Sequence, residues 1–142
     1  MTGEYLSQTM PFTQSIIDYL RKQLPCTEVI YLFGSQVNGP PRKDSDVDVA
    51  VLSKTPLPPL QRWQLASELA RQLNREVDLI DLHQASTVMQ FQVVSTGRRI
   101  FARHESVAEQ YELRVYQLYL TLNDDRAGIL EAITASGTVY GQ

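Results

Sequence analysis

At 142 residues the chain is long enough for one compact domain that buries most of its potential surface. Its 43% hydrophobic and 20% charged content is ordinary for a globular protein, and a net charge of -3 leaves no basic footprint for direct nucleic-acid binding. The single cysteine, Cys26, excludes an internal disulfide and a thiolate zinc site. With neither a charged-then-apolar leader nor an apolar run of the ~18 residues that a membrane span needs, the expected location is a reducing cytoplasm.

Residues 1–9 read as a loose lead-in. Over 11–24, Ile16, Ile17, Leu20 and Leu24 recur at helical spacing, and Pro25 ends the segment. Residues 28–33 are β-rich and stop at Gly34. Gly39, Pro40 and Pro41 then predict a loop, with at most one helical turn at 35–37. A second strand is expected over 47–52, followed by a proline-rich connector.

A helix over 60–73 carries Leu65, Leu69 and Leu73 on one stripe, and Trp63 is expected in the core beside them. Residues 76–82 form a third strand. Ser86 is a suitable N-cap for a helix closed by Gly97, and 99–102 is short and extended, as an edge strand would be. A long helix follows over 105–123. One of its faces is marked by Val107, Tyr111, Val115, Leu118 and Leu122, and another by Leu113, Tyr116 and Leu120. That is more apolar surface than one core contact requires. A separate helical stretch is expected at 125–133. The order of elements predicts an α/β (α+β) domain, a small mixed sheet flanked by helices.

The chemistry concentrates between Gly34 and Asp48. Gly34-Ser35 follows a strand, and Asp46-Val47-Asp48 opens the next one after ten intervening residues. Period-two geometry puts Asp46 and Asp48 on one side of their strand and Val47 and Val49 on the other. Two close carboxylates repel unless a divalent cation lies between them, and hard oxygen donors suit Mg²⁺. A pair of such ions would stabilise both attacking and leaving oxygens of an in-line phosphoryl transfer.

The third strand supplies a further carboxylate. If Val77 and Leu79 point one way, Asp78 points the other, mid-strand, where an unpaired charge is costly without a role. Asp81 lies near the strand end, where a solvated or helix-capping role suffices, and is the runner-up. Gly34 and Ser35 suit close backbone approach to a phosphate and an anion nest of N–H groups. Arg42 and Lys43, just ahead of the aspartates, are placed to offset triphosphate charge. His83 and His104 show no metal spacing, and Tyr111, Tyr116 and Tyr119 read as packing or interface residues.

Gly34-Ser35, Asp46, Asp48 and the strand Val77-Asp78-Leu79-Ile80-Asp81 together resemble the minimal nucleotidyltransferase (MNT) antitoxins of HEPN–MNT toxin–antitoxin pairs. In size and element order the resemblance covers essentially the whole chain, 1–142, as a single domain. It implies a polymerase-β-like fold using ATP and two Mg²⁺ ions. Asp46 and Asp48 would hold both ions and Asp78 one, while Gly34 and Ser35 cradle the β- and γ-phosphates. The implied reaction transfers AMP to a tyrosine hydroxyl of a HEPN-domain RNase toxin, with the helical segment 104–135 contributing to contacts with that partner. An acceptor that is RNA or a small molecule, and a non-catalytic antitoxin that only covers its toxin, are the alternative expectations.

Overall fold

The computed structural model describes residues 12–34 and 46–136, with side chains as far as 124. The elements in chain order are α1 (Thr13–Gln23), β1 (Thr27–Phe33), β2 (Val47–Ser53), α2 (Pro59–Leu73), β3 (Val77–Asp81), α3 (Thr87–Thr96), β4 (Arg98–Ala102) and α4 (Glu105–Ser136). The strands form one sheet in the order β3-β2-β1-β4. β1 runs antiparallel to both β2 and β4, whereas β2 and β3 are parallel, so the sheet is mixed.

Local chemistry accounts for most boundaries. Pro59 opens α2, where its missing N–H costs nothing, and Asn74 closes it in the left-handed conformation at φ 54°. The Ser86 hydroxyl caps α3 by accepting from the Met89 N–H at 3.1 Å. α4 departs from expectation: the predicted break after Asn123 is absent, and one 32-residue helix continues to Ser136. No proline interrupts it, and Gly128 costs only about 1 kcal/mol in a helix interior.

Each face of the sheet has its own core. Ile30, Leu32, Val47, Val49, Val51 and Leu79 pack against Ile16, Leu20, Leu65 and Leu69 of α1 and α2. Val29, Tyr31, Phe33, Ala50 and Leu52 pack against Val93 of α3 and Ala108, Tyr111 and Val115 of α4. The strict alternation along β2 sends its valines to the first core and its even-numbered residues, Asp48 among them, to the second side. Trp63 is not in the core: it is 65% exposed, because α2 turns Leu65 and Leu69 inward and leaves the tryptophan on its outer flank. Among the described residues no helix is long and apolar enough to cross a membrane.

Candidate active site

The parallel pairing of β2 with β3 sets Asp48 directly beside Asp78, and Val47 beside Val77. A backbone hydrogen bond from Val47 N–H to the Glu76 carbonyl, 2.9 Å, holds this register at the entrance to both strands. On the other side of Asp48 stands Phe33, its antiparallel partner in β1, with Gly34 next in the chain. Three acidic residues and a glycine therefore gather at one end of the sheet. Asp46 and Asp78 are exposed, and Asp48 is half-buried.

Asp48 carries the electrostatic cost of this arrangement. Its carboxyl is pushed up to about 6, first by burial, then by the neighbouring charges of Asp78 and Asp46. Such a cluster calls for a cation, and its donor set, three carboxylates on two adjacent strands, is that of a hard ion such as Mg²⁺. Among the described residues no three acidic, histidine or cysteine groups are close enough to hold a metal ion as they stand.

Gly34 takes φ +80°, a left-handed conformation that side chains rarely adopt. A Cβ at this position would overlap Asp48 Oδ2 and lie 3.1 Å from its Cγ. Only glycine lets the β1 terminus lie against the carboxylate. Ser35, Arg42 and Lys43 lie outside the described residues, as does the predicted loop that contains them.

Asp81 does not belong to this cluster. Three residues beyond Asp78, it points to the opposite face of β3 and is only 3% exposed. Its Oδ2 accepts from the Leu57 N–H and from Gln84 Nε2, both at 2.8 Å, and its Oδ1 accepts from the His83 N–H at 3.0 Å. The expected solvated strand end is instead a buried anchor joining the proline-rich connector to the turn after β3. His83 completes that anchor, with Nε2 2.5 Å from the Ser53 carbonyl oxygen.

Gly97 matters in a way its position as a helix terminator did not reveal. A Cβ there would stand 2.9 Å from the Leu32 carbonyl oxygen and 3.2 Å from Phe33 Cβ. The end of α3 thus presses on the segment of β1 that delivers Gly34. A glycine joining a helix directly to a strand was the available signal. A cavity of about 1060 Å³ lies elsewhere, on the α1–α2 side among Phe12, Trp63, Ala66, Ala70 and Val77. It contains none of the three carboxylates, and geometry and charge locate the chemistry better than its size does.

Residues 14–106 match the model of the polymerase beta nucleotidyltransferase family. The chain is 37% identical over 121 residues to the protein adenylyltransferase MntA of Shewanella oneidensis, covering 85% of this chain and 86% of that protein. Among solved structures it resembles a toxin–antitoxin with AMP-PNP, with a TM-score of 0.78, 36% identity, and coverage of 86% of this chain and 98% of the other. It also resembles a complex of tri-AMPylated Shewanella oneidensis HEPN toxin with MNT antitoxin, with a TM-score of 0.74, 33% identity, and coverage of 89% and 98%. The protein belongs to the polymerase β-type nucleotidyltransferases, in the branch that contains the MntA adenylyltransferases.

Proposed function

We propose that the protein is an antitoxin adenylyltransferase that transfers AMP from ATP to a tyrosine hydroxyl of a HEPN-domain toxin and so silences it. The observation that carries this reading is the pairing of Asp48 with Asp78 on adjacent strands, with Gly34 against the same carboxylate. It is supported by membership of a branch whose solved relatives include an AMP-PNP complex and a tri-AMPylated toxin.

In the reaction the phenolic oxygen attacks the α-phosphorus of ATP. The bond from that phosphorus to the bridging oxygen breaks, and pyrophosphate leaves. Asp46, Asp48 and Asp78 would hold Mg²⁺, which when bound neutralises the triphosphate and stabilises the charge that develops on entering and leaving oxygens. Gly34 and Ser35 approach the phosphates through their backbone, and Arg42 and Lys43 offset the remaining negative charge. The acceptor phenol begins with a pKa near 10, and Asp78, exposed at the sheet edge, takes its proton during attack. Most of the rate comes from positioning and charge compensation, since phosphoryl transfer needs little covalent help from the protein.

The test is to incubate the purified protein with Mg²⁺, ATP and its cognate HEPN-domain toxin, and to weigh the toxin by mass spectrometry. One or more added AMP units are expected with the wild type and none with Asp46→Ala/Asp48→Ala. An unmodified toxin, with ATP binding demonstrated in the same preparation, would reject the assignment. Label appearing on tRNA or on a small molecule would move the acceptor instead. Full protection of cells by the double variant would favour an antitoxin that works by covering alone.

A further inference from the structure

β3 is an outermost strand of the sheet, and among the described residues no strand pairs with its outer edge. The bonds from Val47 N–H to the Glu76 carbonyl and from Leu82 N–H to the Val51 carbonyl direct the backbone groups of its even-numbered residues toward β2. The N–H and carbonyl of Val77 therefore face outward along the free edge. Side chains alternate about that edge. Asp78 lies on the face it shares with Asp48, whereas Val77 packs toward α1 and α2 and lines the cavity there. Their α-carbons are ~3.8 Å apart, so only the edge of one strand separates the carboxylate from the cavity wall.

At about 1060 Å³ this cavity is at the upper end of the range for small-molecule sites. It opens where α2 offers only Ala66 and Ala70 between Trp63 and the start of β3. Arg62 Nη1 donates to the Leu79 carbonyl at 3.1 Å and holds this stretch of helix against the strand. Trp63, the single tryptophan of the chain, stands 65% exposed on one wall. Phe12 forms another, with the Arg75 guanidinium 4.6 Å from its ring centroid. Arg71, oriented by a 3.1 Å bond from its Nε to Glu68, adds a second guanidinium, against one lining carboxylate, Glu76. Exposed aromatic faces beside arginines suit stacked bases joined by phosphodiesters.

We infer that this cavity is an acceptor subsite for a nucleotide already attached to the toxin: it holds the adenine of an AMP-tyrosine while a ribose hydroxyl of that unit lies at Asp78. This rests on the proposed protein acceptor and specifies what the site accepts after the first transfer. The ribose oxygen bonds to the α-phosphorus of a further ATP, the bond from that phosphorus to the bridging oxygen breaks, and pyrophosphate leaves. The hydroxyl proton passes to Asp78, and a second AMP is joined to the first by a phosphodiester. The chain passes round the free edge of β3, where the outward groups of Val77 can bond to it. Chemistry selects this occupant. An apolar peptide answers the rings and not the guanidinium groups, a second copy seated face to face sets those cations against themselves, and an adenylate answers both.

The experiment has two arms. In the first, 5′-phosphorylated diadenylate (pApA) is titrated into the full-length protein without Mg²⁺ or toxin, and saturable quenching of Trp63 emission is expected. The second weighs the toxin by mass spectrometry after incubation with Mg²⁺ and ATP, comparing the wild type with Trp63→Ala and Trp63→Phe. In Trp63→Ala the ratio of toxin bearing two or more AMP units to toxin bearing one falls at least tenfold, about the effect of losing one stacked base, while the melting temperature holds. Trp63→Phe keeps a stacking face and recovers most of that ratio. No quenching at millimolar pApA, or an unchanged ratio in Trp63→Ala, overturns the inference. So does a wild type that stops at one unit, or Trp63 emission that changes with protein concentration alone, which gives the cavity to a second copy. Toxin left wholly unmodified counts against the acceptor reading instead, and the pApA titration, which needs no toxin, still decides the cavity.

Discussion

Replacing Gly34 by alanine tests the site through a single methyl group. The left-handed backbone at φ +80° costs an L-residue about 1–2 kcal/mol. For a domain of this size that lowers the melting temperature by about 3–8 °C. The new Cβ also overlaps Asp48 Oδ2, and only 3.1 Å separates it from Cγ, so the carboxylate must leave its place between Gly34 and Asp78. A catalytic group misplaced by about 1 Å costs roughly 10²-fold in rate, or about 2.7 kcal/mol of transition-state stabilisation.

The assay is single-turnover transfer of labelled AMP to the toxin at saturating ATP, with a thermal melt of each variant. Gly34→Ala should lose about a hundredfold in rate while remaining folded at the assay temperature. If the loss runs through Asp48, Gly34→Ala/Asp48→Ala should be hardly slower than Asp48→Ala alone, because the two changes disable one unit. Activity of Gly34→Ala within threefold of wild type would refute the reasoning, as would losses that multiply fully in the double variant.

The remaining predictions concern charge and anchoring. In metal-free buffer at neutral pH, Asp48→Asn should raise stability by about 1 kcal/mol, allowing for solvent screening, because it removes a half-buried charge facing two like charges. The gain should vanish below about pH 4, where the wild-type carboxyl is protonated in both states, and a urea midpoint that falls at neutral pH would contradict the repulsion. Asp78→Asn should abolish transfer without unfolding the protein, whereas Asp81→Ala should cost about 2–4 kcal/mol by orphaning buried donors, yet leave folded molecules active. The reverse pattern would exchange their roles. Tyr31→Phe should cost about 1–2 kcal/mol through loss of its bond to Glu112. Burial, then Glu112, raises the Tyr31 phenol far above 10, so wild-type stability should decline as pH climbs past 10, where the unfolded tyrosine ionises, and Tyr31→Phe should decline less steeply.

Much of the site could be read along the chain because its parts obey local periodicity. Asp48 takes the face of β2 opposite Val47 and Val49 through simple alternation, and the stop at Gly34 is a backbone property of one residue. The pattern of Leu65, Leu69 and Leu73 likewise marked the buried stripe of α2. It misassigned Trp63, since a residue beside a stripe can turn either way, and neighbouring packing decides which. In α4, two stretches that read as separate helices proved continuous, because Asn123, Asp124 and Asp125 at the expected break cost a helix interior only about 0.7 kcal/mol or less each, and no proline stops it.

What the amino-acid order determined by itself was the face that each side chain takes within its own strand or helix. Only the tertiary structure decided which strands lie side by side and in what register, and hence that Asp78 meets Asp48 while Asp81 turns to the other core. Alternation is set by the bonds between successive residues. Register is set by hydrogen bonds and packing between segments some thirty residues apart, and no local pattern encodes those.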